Sequence, residues 1–551
     1  MNQFGKTLMR LLLHYRTYYV LSWIAVLGIA AAILYNAWIH FDNRPNDTKP
    51  GSQRRDGNDG HCMIDFGGQW LMGRMLYEGH GQRLYLRSQQ REVAKAAFPE
   101  EDQAPDAEKS DAENLMDWLM GKDAPKGEEE PEHWQLELAP GIGGQLYPPI
   151  NAFVNYPLAL FTPHVGYRIN QVLNLLFAFA AGLAASCLAR GRVWWPIAVG
   201  FFLLFPGFSG TINLGQNAAL TLAILMWGWL LISRGFAGAG GVVWAFLAFK
   251  PVWAASFLFV LLFTRRWKTA LSMGATAAAI FLATVPFVGW HSWMDWFNVA
   301  RDGVRIYDMD QNWVFLSRDL LSIPRRWLLN FEEGAEGVER IPHPLLTAMI
   351  GWWSVVAVLE ITVRMTCLRK HQAARAIDGA PAAFLLLSGW LLCFHFMYYD
   401  MLLASLPAFL LFTEPRRYLI PRFVVLFFVN RRHLGRDLVD FYRPGLATQA
   451  PPPVPPIPAT HRHVWVLNSL EMTLVLILML IPSVLHLFDV GNPYGTPWET
   501  FVLLALWLWC AWKWLRQREG IKEVEGEVSP PATQAAEALD KATEMPSLSV
   551  S

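Results

Sequence analysis

The sequence predicts an all-α, polytopic membrane protein. Three observations predict it. Apolar runs of about 20 residues, the length needed to cross a bilayer, recur along the chain. Hydrophobic residues make up 53% of the 551 positions. Basic residues gather at the chain start and at 264–268, 364–375 and 416–443. A soluble protein can be this apolar overall, but not in uninterrupted runs. Lys+Arg and Asp+Glu balance at 46 each, so net charge identifies no partner, whereas its distribution sets a topology.

Residues 1–17 carry Lys6, Arg10 and Arg16 and read as a cytoplasmic N-terminus under the positive-inside rule. The first membrane helix, 18–41, lacks a clean small-residue cleavage site and reads as an uncleaved anchor. An outer loop follows at 42–150. In it, Phe66, Trp70, Met72/Gly73 and Leu76/Tyr77 suit a helix on the membrane surface with Asp65 as N-cap. An acidic, Pro/Ala-rich insert at 99–132, either disordered throughout or with one short helix around 108–120, reads as a solvated charge run. Membrane helices are expected over 151–290: a short, proline-broken helix in LYPPINAFVNYPLALF (146–161), then 165–189, 193–209 and 211–233. Discontinuous helices at membrane depth must line a cavity or pack in protein. The run 237–263 is flanked by Arg234 and by Arg265, Arg266 and Lys268, with Lys250-Pro251 at its middle. Two half-length helices meeting there, a re-entrant hairpin, keep both basic clusters inside. A helix over 267–290 leads to a second outer loop, 291–343, and membrane helices occupy 344–413. A basic, Pro-rich cytoplasmic loop at 414–463, C-terminal membrane helices at 464–515 and a disordered tail at 516–551 complete about 10–13 membrane helices, some half-length. The five cysteines show no paired spacing; Cys187, Cys367, Cys393 and Cys510 read as small buried hydrophobes.

Polar groups inside apolar runs carry the functional information. A charge at the bilayer centre costs at least about 2.5–3.5 kcal/mol and must face a cavity or a partner. Lys250 in AFLAFKPVW is such a charge; snorkelling to an interface is the plainer explanation, made harder by its place directly before proline. In TINLGQNAALTL, Asn213, Gln216 and Asn217 fall on one helix face, where helix–helix hydrogen bonding competes with a binding role. An aromatic belt explains Tyr398 and Tyr399 in CFHFMYYDMLLASLP but not Asp400. DQNWVFLSRDL brings Gln311, Asn312 and Arg318 near the start of an outer-loop helix, where surface capping is the alternative. On this topology Asp65, Lys250, Asn213–Asn217, the 310–318 stretch and Tyr399-Asp400 all lie on the outer side, as a site for a polar molecule tethered to lipid requires. No phosphate-cradling glycine loop is present in the sequence, and the short DMD at 308–310 is a poor metal site.

These stretches, in this order, resemble the integral-membrane C-type glycosyltransferases of family 87. Asp65-Phe66 and the following Gly79–Tyr85, the Tyr-Pro-Pro at 147–149, LGQNAAL, FKPVW and DQNWVFLSRDL are similar to that group's motifs over roughly residues 20–415. MYYDMLLASLP departs from the pattern, its His preceding Tyr-Tyr-Asp, so His395 is not carried over. The resemblance implies a GT-C-like fold and inverting transfer of a hexose, mannose first, from a polyprenyl-phosphate-sugar to an acceptor hydroxyl. It implies a lipid or glycan acceptor and a reaction on the periplasmic face of the inner membrane. It implies Asp65 as catalytic base, with Lys250, Tyr147, Gln216, Asn217, Gln311, Asn312, Arg318, Tyr399 and Asp400 binding substrate. Arg301 and Arg305 are further candidate cations for the leaving phosphate. No metal or cofactor is expected, since a single phosphate leaves; no nucleic acid is involved. The competing functions are a transporter or flippase of a lipid-linked sugar and a scaffold built on the acidic loop.

Overall fold

The computed structural model describes residues 15–41, 65–97, 137–139, 142–143, 146–190, 193–307, 311–329, 343–413, 470–471, 473–480 and 497–516. The acidic insert, the Pro-rich loop, the DMD triplet, Cys62 and the tail lie outside them. The described chain is all-α apart from a hairpin of β1 (Glu137–Ala139) and β2 (Ile142–Gly143).

Helix α1 (Tyr15–Tyr35) runs on as a π-helical turn to Phe41, and α2 (Asp65–Tyr77) and α3 (Arg87–Ala97) follow. After the hairpin come α4 (Ile150–Asn155), α5 (Pro163–Leu188), α6 (Trp195–Leu203), α7 (Phe208–Asn213) and α8 (Ala218–Ser233). Next are α9 (Ala237–Ala245), α10 (Pro251–Phe263), α11 (Trp267–Tyr307), α12 (Gln311–Leu316) and α13 (Ser322–Leu328). The remainder is α14 (Pro344–Leu368), α15 (Lys370–Arg375), α16 (Gly379–Leu392), α17 (Ser405–Thr413) and α18 (Trp498–Arg516). Four helices are long and apolar enough to cross a bilayer: Thr17–Ile39, Pro163–Leu188, Trp267–Arg301 and Pro344–Leu368. Shorter apolar helices pack among them, as in a polytopic membrane protein.

Helix α2 is packed into the protein. Phe66 through Gly73, and Met75, are buried, and the helix packs on α4, α5 and the 3-10 turn Leu158–Leu160. Its glycines explain the depth: a Cβ on Gly73 would meet the Asn155 backbone at 2.7 Å, so only a bare Cα allows the two helices to approach this closely. Asp65 is the first residue inside the helix rather than a cap outside it.

The 237–263 segment breaks at Lys250, whose backbone (φ −125°, ψ 80°) leaves the helix as a residue before proline must. The Ser272 hydroxyl donates to Gly238 O at 2.7 Å, so the start of α9 lies beside the start of α11. Helix α11 follows α10 after only three residues, so the end of α10 lies at the same end of the bundle. The Trp244 and Phe257 rings, one on each leg, meet at 5.5 Å. The legs therefore run in opposite directions, with Lys250 at the turn. Helix α11 contains a second break at Gly289 (φ 71°, ψ 165°); there the 3-10 turn Gly81–Arg83 docks, and Ser292 donates to Gly81 O at 3.1 Å.

The 211–233 run is not one helix. Gly215 takes φ 63°, so α7 and α8 are joined by a loop, and Asn213, Gln216 and Asn217 do not share a helix face. Cys187, Cys393 and Cys510 are buried, but Cys367 is exposed: α14 is peripheral, its spanning window only 28% buried.

Candidate functional site

Asp65, at the first turn of α2, accepts a hydrogen bond on Oδ1 from Gln216 Nε2 at 3.3 Å. The α7–α8 loop carries Gln216 there, and a second contact ties the loop to α2: Asn217 Nδ2 donates to Gln69 Oε1 at 3.1 Å. Gln69 in turn donates to Gln216 Oε1 at 3.4 Å and to its own helix at Asp65 O at 3.2 Å. Tyr147, on the Tyr-Pro-Pro turn before α4, donates its hydroxyl to the same Gln216 Oε1 at 3.0 Å. Tyr85 fixes that turn by donating to Tyr147 O at 2.6 Å.

On the other side of Tyr147 stands an ion pair. Lys250 Nζ, at the hairpin turn, lies 2.9 Å from Asp400 Oδ1, both side chains nearly out of solvent. The ammonium also sits 5.1 Å from the centre of the Tyr399 ring, a cation–π contact. Tyr147 joins the two halves electrostatically. Burial raises the pKa of its phenol, the Lys250 charge opposes that rise, and the Asp400 and Asp65 carboxylates reinforce it.

The chain Asp65–Gln216–Tyr147–Lys250–Asp400 thus draws on five separated stretches. It contains six of the ten residues singled out in the sequence if Tyr399 is counted, and Asn217 adds a seventh. The lysine is not a bare cation, because Asp400 neutralises it. Three N–H groups belong to an ammonium, and Asp400 engages one.

Arg318 is placed differently. It is fully buried, its Nε is 3.2 Å from Glu499 Oε2, and its Nη1 donates to Phe315 O at 2.6 Å and Ser317 O at 3.0 Å. It lies 5.5 Å from the Tyr398 ring, next in sequence to Tyr399, and its Nη2 finds no partner among the described residues. The Ser317–Met397 bridge and the Arg318 N–H donated to Phe396 O at 3.1 Å bind this stretch to the backbone leading to Asp400. The backbone of Gln311 and Asn312 is helical, but their side chains lie outside the described residues, as does that of Arg305; Arg301 is exposed. Two participants carried a signal that the sequence reading passed over. Gln69 is an amide one helical turn after Asp65 in an otherwise apolar face, and Glu499 is an acid opening an apolar helix.

Residues 146–389 match the family model of glycosyltransferase family 87. Over this stretch the chain is similar to that family. The match indicates a glycosyltransferase, and with the apolar helices it makes this a membrane glycosyltransferase. No curated protein matches the chain. Tyr147, Gln216, Asn217, Lys250 and Arg318 fall inside the matched stretch; Asp65 and Asp400 flank it.

Proposed function

We propose that the protein transfers a hexose, mannose first, from a polyprenyl-phosphate-sugar to an acceptor hydroxyl. In this reading the site faces the periplasm, the protein sits in the inner membrane, and the fold is GT-C-like. One observation supports it above the rest: in a chain matched over 146–389 to a glycosyltransferase family, Asp65 and Tyr147 share the Gln216 amide, and the Tyr147 phenol feels the charges of the buried Lys250–Asp400 pair.

The chemistry follows from that arrangement. The acceptor oxygen attacks the anomeric carbon on the face opposite the phosphate, and its proton passes to Asp65 as general base. The bond from the anomeric carbon to the phosphate oxygen breaks, and its electron pair leaves with the lipid phosphate. Charge grows on that oxygen, so fixed donors aimed at it stabilise the transition state. Lys250 has two N–H groups beyond Asp400 to offer it, and the Tyr399 ring lies against the ammonium. Asp400 keeps the ammonium in place between turnovers. A single displacement inverts the anomeric centre.

The test is donor consumption by the purified full-length protein. Polyprenyl-phosphate-[14C]mannose is supplied with a panel of lipid and glycan acceptors, and wild type is compared with Asp65→Asn. Loss of a general base lowers turnover by about 10²–10⁴-fold, with the fold intact because Asn keeps the Oδ1 acceptor for Gln216. Consumption undiminished in the variant refutes the mechanism.

A further inference from the structure

The loop that delivers Gln216 to Asp65 closes the end of α7 through its own backbone, Gln216 N–H donating to Thr211 O at 3.0 Å, and the last carbonyls of α7 and those of Gly215 and Gln216 are also held from one side. Helix α5 presents Tyr167, Asn170, Gln171 and Asn174, spaced i, i+3, i+4, i+7 and so on one face. Their side chains donate to four of the five carbonyls from Ile212 to Gln216. Gln171 Nε2 reaches Ile212 O at 3.0 Å, and the Tyr167 hydroxyl reaches Asn213 O. Asn170 Nδ2 reaches Gly215 O at 2.6 Å, and Asn174 Nδ2 reaches Gln216 O at 2.9 Å.

Capping alone would explain the first two, since the last carbonyls of α7 need partners. It does not explain the second two, which lie beyond the helix on the residue that touches Asp65 and on the one before it. The loop lies flat on α5 because Gly215 has no side chain: a Cβ there would sit 2.8 Å from the Tyr167 ring. Trp38 Nε1 donates to Gln171 Oε1 at 2.7 Å, which turns the Gln171 amide so that its nitrogen faces the loop.

We propose that this ladder of α5 is a positioning device for the transfer reaction, with Asn170 and Asn174 fixing the Gln216 backbone so that its amide holds the Asp65 carboxylate towards the acceptor. The inference rests on the glycosyl-transfer reading for its kinetic consequence but not for its structural one. Asn170 and Asn174 touch no reacting atom; they act through Gln216.

Two measurements on the full-length protein test it. In the first, Asn174→Leu, of similar volume but without the donor, is compared with wild type by hydrogen–deuterium exchange. Exchange is expected to quicken in the peptide covering 211–219 while α5 and α8 keep their protection. Unchanged exchange there overturns the proposal, and this arm needs no activity. The second uses polyprenyl-phosphate-[14C]mannose turnover in a cycle of Asn174→Leu, Gln216→Ala and the double variant. Asn174→Leu is expected to lower kcat about tenfold, through a less well placed Asp65 carboxylate, with KM unchanged. Placed on Gln216→Ala it adds nothing, since both remove one function. Independent, multiplying losses overturn the positioning role, as does a fall confined to KM. Should Asn174→Leu fail to fold, Asn170→Ser enters the same cycle with the same expected outcomes. A wild type that consumes no donor while 211–219 loosens as expected rejects the transfer reading and leaves the clamp standing.

Discussion

Removing one member of the Lys250–Asp400 pair should cost far more than removing both. The separation of 2.9 Å gives an attraction of about 6 kcal/mol at an effective dielectric of about 20. Burying each ion costs several kcal/mol, so the net value of the pair is small. Lys250→Met alone strands the Asp400 carboxylate, and Asp400→Leu alone strands the ammonium; each is expected to destabilise by about 3–5 kcal/mol. The double variant Lys250→Met/Asp400→Leu leaves no buried charge and should recover most of that loss. Reversible unfolding in mixed micelles, followed by tryptophan fluorescence, measures all three. The double variant also separates stability from chemistry: it should fold, and on the proposed mechanism it should turn over donor at least about a hundredfold more slowly, for want of the cation assigned to the leaving phosphate. Single variants costing under about 1 kcal/mol, or a double variant costing the sum of the two, refute the reasoning.

Three further outcomes follow from the same geometry. Tyr147→Phe removes the donor to Gln216 Oε1 and is expected to lower kcat about tenfold, one hydrogen bond's worth, in a steady-state donor assay. Gly73→Ala places a methyl 2.7 Å from the Asn155 backbone, so the unfolding free energy should fall by about 1–3 kcal/mol. Asp319 is fully buried, and burial lifts its carboxyl from 3.8 to about 6. A raised carboxyl stabilises the fold fully below about pH 4 and loses that contribution as pH rises through 6. Asp319→Asn keeps the acceptor for the Ser322 N–H and carries no such slope. Its stability relative to wild type should therefore climb by about 3 kcal/mol between about pH 4 and pH 7 in denaturant titrations, and a flat difference contradicts the assignment.

What could be read in the sequence was whatever depends on neighbours close along the chain. Long apolar runs show themselves by length, and the interruption at Lys250 is written in Lys-Pro, because proline forbids the preceding residue a helical backbone. Asp65 and Asp400 stand out as acids in apolar company. Pairings between distant residues left no such trace. Lys250 meets Asp400 across 150 positions and Arg318 meets Glu499 across 181, and neither partner's local sequence names the other. Two features of shape that spacing does not reveal share a cause. Helix α2 looks amphipathic enough for a surface, but its glycines let it sink against Asn155. The Asn213–Asn217 stretch looks helical by spacing, but Gly215 takes φ 63° with Tyr167 and Phe66 packed against it. Helix periodicity counts apolar positions and is blind to how closely a bare Cα lets a neighbour approach.

The division of the site between matched and flanking segments bears on how it works. The stretch matched to family 87, residues 146–389, supplies the cation, the amides and the bridging phenol. Both carboxylates come from outside it, Asp65 from one side and Asp400 from the other. The buried Arg318 likewise finds its acid, Glu499, on α18, well beyond the match. The matched segment on its own would therefore hold a buried lysine and a buried arginine without their counter-charges, which costs several kcal/mol apiece. It is therefore expected to be unstable on its own. The flanks complete it twice over, once by neutralising its buried cations so that the bundle folds, and once by bringing the Asp65 carboxylate within reach of Gln216. Expressed alone, residues 146–389 should fail to give a stable protein in detergent, and co-expression with the flanking segments as separate chains should restore it. Recovery of a folded, monodisperse 146–389 fragment would show that the charges are satisfied in some other way.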